Sequence, residues 1–138
     1  MAVYENDSIL EVQDLKVRFF LDEGTVKAVN GVSLDVKTGQ AIGLVGESGC
    51  GKTVTAYSIM RLLPRTAKIT EGQINYRTSS GNVVDLAKLK DGTEMTAIRG
   101  AEISMVFQEP MSSLSPVHTV FDQVSESLVL HQKVSTEQ

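Results

Sequence analysis

A glycine-rich run of eight residues constrains this chain more than any other feature. It fits the pattern G-x-x-x-x-G-K-[S/T] and consists of Gly46, Glu47, Ser48, Gly49, Cys50, Gly51, Lys52 and Thr53. The apolar residues 41–45 precede it and predict a buried strand, whereas residues 52–63 predict a helix that Pro64 ends. In this strand-to-helix context such a run binds phosphate, because its glycines let backbone N–H groups approach and the helix start adds unpaired donors.

Two side chains of this phosphate loop carry chemistry. The Lys52 ammonium would lie between the β- and γ-phosphates of a nucleoside triphosphate, and the Thr53 hydroxyl would be a ligand of Mg²⁺. The alternative interpretation is a glycine-rich turn with an accidental lysine, but the full pattern is rare by chance in so short a chain. Cys50 has no visible partner that would activate it, so we interpret it as an ordinary loop residue.

The rest of the chain predicts further strands and helices. Residues 9–20 and 28–36 alternate between apolar and polar side chains, which is typical of half-buried antiparallel strands joined by a turn at 22–25. Further strands are expected at 73–76, 83–84 and 103–107, and further helices at 93–99 and from Thr119 onward. The last helix carries an apolar stripe that we expect to pack against another element.

Composition argues against several classes of function. Seventeen acidic and thirteen basic residues give a net charge of −4, so the basic surface of a nucleic-acid binder is missing. The single cysteine cannot form an internal disulfide, and the N-terminus has no secretion signal. No apolar run reaches the roughly 20 residues that cross a bilayer. We therefore expect a cytosolic location, with membrane contact only through a partner protein.

These motifs resemble those of the ABC-transporter ATPases. The resemblance covers residues 8–131 and depends on the antiparallel strands before the phosphate loop, the loop itself and residues 105–110. Four segments are similar to the subgroup that imports oligopeptides and dipeptides, namely 46–52, 59–64, 98–100 and 107–114. Ser115-Pro116 stands where that subgroup usually has Asn-Pro, and Thr53 replaces the commoner serine but keeps its hydroxyl.

The resemblance implies a fold and a division of the chain. The fold would be α/β, a P-loop NTPase core of ABC type with an N-terminal antiparallel β-subdomain, truncated before the rest of the helical subdomain. Residues 1–138 would form the N-terminal part of one ATP-binding domain. Within it, 8–40 would be the β-subdomain, 41–108 the P-loop core up to the Q-loop, and 109–138 the start of the helical subdomain.

The resemblance also implies site residues outside the phosphate loop. Gln108 would be the Q-loop glutamine, which reaches Mg²⁺ and the attacking water; without the resemblance it would be an exposed glutamine that ends a strand. Phe19 is the best match for the aromatic residue that stacks on adenine, followed by Phe20, or by Val26 if the preceding turn is longer. Phe19 is equally interpreted as a core residue. Thr55 completes the predicted nucleotide-binding set.

Several parts of an ATPase site are missing from the 138 residues. The resemblance implies a signature motif, a Walker B strand that ends in Asp-Glu, a D-loop and a switch histidine, and the sequence contains none of them. We therefore expect the chain alone to be inactive and to expose sheet edges, whereas the intact subunit would be an ABC-type ATPase.

The partners implied by the resemblance are proteins, not nucleic acid. They are membrane permease subunits at the cytoplasmic face of the cell membrane, a second ATPase subunit in a homo- or heterodimer and, indirectly, an extracytoplasmic solute-binding protein. ATP binding and hydrolysis would drive peptide import. Two alternatives stay open: a fragment that binds nucleotide without turnover, and a soluble ABC-type ATPase.

Overall fold

A computed structural model describes residues 7–90, 92–108 and 114–132. Its elements are β1 (Ser8–Leu21), β2 (Gly24–Lys37), α1 (Lys52–Ile59), β3 (Ala67–Arg77), β4 (Val83–Asp85), α2 (Glu94–Ile98) and α3 (Val120–Gln132). The chain divides into two compact units, Met1–Met95 and Thr96–Gln138. The first unit contains the four strands and α1, and the second contains α3. No helix of the described residues combines the length and the apolar character needed to cross a membrane.

The strands form one antiparallel sheet in the order β2-β1-β3-β4. β1 and β2 make a hairpin that closes between Leu21 and Gly24 around a two-residue turn. Gly24 has a φ of 139°, a conformation that glycine adopts without steric cost. The predicted antiparallel strands and the turn between them are therefore confirmed, and β1 lies in the middle of the sheet.

The core of the first unit follows from the alternation along β1. Val12, Leu15 and Val17 are buried, and Val29 of β2 and Ile74 of β3 are buried with them. Since β1 is paired on both edges, its apolar side chains have neighbours on either side, and they are among the most deeply buried in the unit. α1 contacts both β1 and β2, so the helix that follows the phosphate loop is attached to the hairpin.

Three neighbouring strands have irregular backbone conformations at positions that lie side by side in the sheet. Asp14 of β1 has a φ of 44°, and Gly31 of β2 and Gly72 of β3 have φ values of 83° and 99°. A Cβ on Gly72 would lie 2.7 Å from the Asp14 carbonyl oxygen, and a Cβ on Gly31 would lie 3.0 Å from Asp14 Oδ1. The Asp14 N–H donates to Ser33 Oγ at 2.9 Å. The register shifts here on both sides of β1, which is the behaviour of a β-bulge.

A charged group on the surface accompanies this bulge. Lys16 Nζ lies 2.6 Å from Glu71 Oε2 and 3.4 Å from Asp14 Oδ2. The hydrogen bond to Glu71, followed by the contacts with Asp14, raises the pKa of Lys16 above its ordinary value of 10.5. The pair joins β1 to β3 beside the bulge.

Two apolar runs that were predicted as buried strands do not form strands. Residues 41–45 have no regular secondary structure, and Val45 is 90% exposed. In the run 103–107, Ile103 makes an isolated bridge with Arg99, and Val106 is 97% exposed. An interior parallel strand needs a neighbour on each edge and cover on both faces, and the described residues provide 41–45 with no pairing strand.

The predicted helices are confirmed in part. α1 ends at Ile59 rather than beside Pro64, and Arg61 follows with a φ of 53°. The Thr119 cap of α3 is confirmed, because the Asp122 N–H donates to Thr119 Oγ1 at 3.1 Å. The apolar stripe on α3 was expected to pack, but its members are exposed: Phe121, Val124 and Leu128.

Candidate functional site

The phosphate loop ends at the start of α1, where backbone donors are concentrated. Gly49 and Gly51 have φ values of 81° and 97°, which L side chains rarely adopt. Gly51 is the N-cap of α1, and no side chain caps the helix there. The first turn of α1 also contains no acidic residue. The N–H groups and the positive end of the helix dipole therefore form a place that favours an anion.

Close backbone contact fixes this loop on the β-hairpin. A Cβ on Gly51 would lie 2.7 Å from the Ala28 carbonyl oxygen and 3.5 Å from Val29 Cγ2. At the other end of the loop, a Cβ on Gly46 would lie 2.7 Å from Cys50 Sγ. Gly46 and Gly51 are therefore required by close packing, apart from any role in binding phosphate. The sequence did not reveal the contact with Ala28, because a backbone oxygen leaves no side-chain pattern.

The Lys52 side chain folds back over its own loop. Its Nζ donates to the Gly46 carbonyl oxygen at 2.8 Å and to the Glu47 carbonyl oxygen at 2.7 Å. An ammonium has three donors, and the next contact is Cys50 Sγ at 3.5 Å. A thiol sulfur is a weak acceptor, so a phosphate oxygen could take its place while the two carbonyls keep the ammonium in position. These contacts fit a bound triphosphate.

The two threonines that follow have different surroundings. Thr53 is exposed on the first turn of α1, where its hydroxyl is accessible to a ligand of the loop. Thr55 is buried, and its Oγ1 donates to the Gly51 carbonyl oxygen at 2.9 Å. The Thr55 side chain therefore supports the junction between loop and helix, and a direct contact with nucleotide stays a prediction.

The aromatic candidates for base stacking lie near the end of the hairpin. Phe19 is half-buried and pairs with Val26 of β2 and Ala67 of β3. Phe20 is 48% exposed, and successive strand residues point to opposite faces of the sheet. The short turn puts Val26 directly across from Phe19, so both candidates occupy one place on the hairpin. Which of the three side chains stacks on a base stays a prediction.

Gln108 belongs to the second compact unit, whereas the phosphate loop belongs to the first. The Gln108 side chain is exposed, and the residue lies at a bend. Residues 109–113, which carry most of the peptide-importer motif after it, lie outside the described residues. The role of Gln108 at Mg²⁺ therefore stays a prediction.

The chain is similar to ATP-binding proteins named for transport or import. Residues 29–138 match the family described as ABC transporter. The chain is 50% identical over 130 residues to the dipeptide transport ATP-binding protein DppD of Bacillus subtilis, which covers 94% of this chain and 37% of that protein. It is 45% identical over 130 residues to the probable peptide ABC transporter ATP-binding protein y4tR of Sinorhizobium fredii, with the same two coverages.

A further relative is the glutathione import ATP-binding protein GsiA of Salmonella choleraesuis. It is 42% identical over 135 residues, which are 97% of this chain and 22% of that protein. The chain therefore spans between 22% and 37% of the length of these three relatives.

Proposed function

Because this chain belongs to the ABC transporter family, we propose that it is the nucleotide-binding front part of a subunit that energises the import of oligopeptides or dipeptides. The geometry of Lys52 carries the nucleotide part of this proposal. Its ammonium is held by the Gly46 and Glu47 carbonyls over a loop that leads into the uncapped start of α1. The names of the three relatives, for dipeptide, peptide and glutathione transport, support the import part.

The residues of the loop would bind and orient the triphosphate. Lys52 would neutralise negative charge on the β- and γ-phosphates, and the backbone N–H groups of the loop would hold phosphate oxygens. Thr53 and Gln108 would provide oxygen ligands for Mg²⁺, with Gln108 also orienting water. Bound Mg²⁺ would neutralise charge on the phosphoryl oxygens during transfer. Phe19 would stack on the adenine.

The role of the subunit in transport requires partners. We propose that it lies at the cytoplasmic face of the membrane, on permease subunits, and pairs with a second ATPase subunit. A solute-binding protein would deliver the peptide on the other side. A conformational change upon ATP binding would act on the permease by shifting the population between two states. The 138 residues contain no apolar run that ends in Asp-Glu, so we expect this chain to bind ATP and only the intact subunit to turn it over.

Calorimetric titration of the chain with ATP and Mg²⁺ tests the first step. Lys52→Ala should weaken binding by about 10- to 100-fold, because a charged hydrogen bond contributes about 1.5–3 kcal/mol. Lys27→Ala is the matched control, since Lys27 is an exposed lysine of β2. The control should bind like the wild type. Equal affinity of Lys52→Ala and the wild type would refute phosphate binding by this loop.

Two further measurements separate the transporter from its alternatives. Affinity purification from cell membranes should recover permease subunits; recovery of ribosomes or DNA instead would refute import while leaving ATP binding intact. Phosphate release by the purified chain should be absent. Release that Lys52→Ala abolishes would show that the chain turns ATP over without the missing motifs.

A further inference from the structure

The hydroxyl of Thr55 makes a bond at the junction of the phosphate loop and α1. Its Oγ1 donates to the Gly51 carbonyl oxygen at 2.9 Å, and the Thr55 N–H donates to the same oxygen at 2.8 Å. A carbonyl oxygen has two lone pairs, so this one residue occupies both acceptor positions. Only 3% of Thr55 is exposed, which leaves its side chain little freedom. Two bonds from inside the helix therefore hold the Gly51 carbonyl.

The Gly51 carbonyl and the Lys52 N–H belong to one peptide unit. This unit is planar and trans, so its C=O and its N–H point in opposite directions. Because the carbonyl points along α1 toward Thr55, the Lys52 N–H points out of the N-terminal end of the helix, where the phosphate loop lies. As the first residue of α1, Lys52 has no acceptor for this N–H within the helix. A contact that fixes the carbonyl therefore also fixes the direction of a donor for a bound anion.

Gly51 itself does little to fix this peptide unit. It has a φ of 97° and a ψ of 1°, and no side chain caps the helix there. Glycine has more accessible backbone conformations than any other residue, so rotation of the peptide unit that follows it meets little steric resistance. The bond from Thr55 Oγ1 adds a second restraint to the ordinary helix bond that opposes this rotation.

Ser58 makes the same kind of bond one turn further along α1. It is fully buried, and its Oγ donates to the Val54 carbonyl oxygen at 2.7 Å. Serine and threonine side chains in helices often satisfy their own hydroxyl in this way. The peptide unit that Ser58 holds has its N–H on Thr55, and this N–H is already bonded to the Gly51 carbonyl oxygen within the helix. Of these two hydroxyl residues, Thr55 is therefore the one that holds a peptide unit whose N–H faces the loop.

From these contacts we propose that Thr55 is a positioning residue for the phosphate groups of the nucleotide. Its hydroxyl fixes the peptide unit between Gly51 and Lys52 and so directs the Lys52 N–H at a phosphate oxygen. Thr55 acts through this peptide unit and needs no contact with the nucleotide. The inference rests on the proposed function, because it requires that the loop binds the triphosphate.

Calorimetric titration of the full chain with ATP and Mg²⁺ tests the proposal with three variants. Thr55→Val removes the hydroxyl and keeps the branched shape, and it should weaken binding about three- to tenfold, in line with the loss of one hydrogen bond. Thr55→Ser keeps the hydroxyl and should bind like the wild type. Ser58→Ala is the matched control and should also bind like the wild type, because the N–H of the peptide unit that Ser58 holds does not face the loop. Tripolyphosphate in place of ATP should show the same loss in Thr55→Val, since the role concerns the phosphates.

Nuclear magnetic resonance separates positioning from a general loss of stability. Saturating ATP should move the Lys52 amide resonance of the wild type, and this movement should be smaller in Thr55→Val. An equal movement in the two proteins, or a loss of affinity as large in Ser58→Ala as in Thr55→Val, would overturn the positioning role. No binding by the wild type would refute the proposed function and this inference together. Binding that Lys52→Ala weakens and Thr55→Val leaves unchanged would refute this inference alone.

Discussion

Gly51→Ala is the substitution that most directly tests how the phosphate loop is held. Gly51 has a φ of 97°, and a Cβ there would lie 2.7 Å from the Ala28 carbonyl oxygen. The alanine therefore meets two separate obstacles, an unfavourable backbone conformation and a contact with β2. Gly81→Ala is the matched control, because Gly81 has a φ of 84° but open space around its missing Cβ.

The magnitudes of the two effects can be separated. An alanine in a left-handed conformation destabilises the folded state by about 1–2 kcal/mol. The same substitution lowers the conformational entropy of the unfolded chain, which offsets about 0.4–1 kcal/mol of that loss. Gly81→Ala should therefore lower the free energy of unfolding by about 1 kcal/mol. At Gly51 the contact with Ala28 adds an overpacking cost of about 1–3 kcal/mol. Gly51→Ala should therefore lower the free energy of unfolding by about 2–4 kcal/mol.

Urea unfolding followed by far-ultraviolet circular dichroism measures these losses, and calorimetric titration measures ATP affinity. We expect Gly51→Ala to weaken ATP binding at least about tenfold, because relief of the contact moves the junction of the loop and α1 away from β2 and displaces the phosphate-binding N–H groups. Gly81→Ala should leave it unchanged. Equal losses of stability in the two variants would refute the anchoring role of Ala28. Full ATP affinity in a destabilised Gly51→Ala would refute the link between anchor and loop.

Three further outcomes follow from other contacts. The pKa of Lys16 is raised, so its pairing with Glu71 stabilises the fold fully below pH 10.5, and this contribution is lost as the pH rises through the folded-state pKa. Glu71→Gln should flatten the decline of the urea midpoint above pH 10.5, and an unchanged decline would contradict this interpretation. Alkylation of Cys50 by N-ethylmaleimide should block ATP binding, because Cys50 Sγ lies 3.5 Å from Lys52 Nζ. Mass spectrometry should show slower alkylation with ATP present, and equal alkylation rates with and without ATP would count against a shared site. Mg²⁺ should raise the ATP affinity of the wild type and of Thr53→Ser, and Thr53→Ala should show a gain smaller by about tenfold. Titrations with and without a chelator measure this gain, and an equal gain in Thr53→Ala would exclude Thr53 as a Mg²⁺ ligand.

The β-subdomain could be predicted from sequence because its signal is local. Polar and apolar residues alternate along β1 and β2, and the two-residue turn between the strands fixes which residues pair in the hairpin. The bulge at Asp14 was not predicted, since a single extra residue in a strand only interrupts the alternation. The contact between Gly51 and Ala28 was missed for a similar reason, because it joins two backbones.

The runs 41–45 and 103–107 show the opposite situation. Their apolar composition predicts interior strands, but such a strand depends on neighbours that are distant in sequence. In the described part of the chain nothing pairs with 41–45, and exposure of Val45 and Val106 is the result. The turn at Gly49 and Gly51 and the helix that begins at Lys52 could be predicted, because their signal lies within one short run of residues, whereas phosphate binding by this loop stays a prediction.

The bulge shared by β1, β2 and β3 determines where this sheet tolerates changes in length. Deleting Asp14 would place Val12 and Leu15 two positions apart and keep Leu15 and Val17 inside, but it would move the later residues of β1 one position out of register with both β2 and β3. Compensation would require matching changes beside Gly31 and Gly72 at once, in three separate stretches of the chain. The turn between β1 and β2 has no such constraint, since added residues there extend into solvent. Insertions and deletions among similar chains should therefore occur at residues 22–23 and not at or beside Asp14.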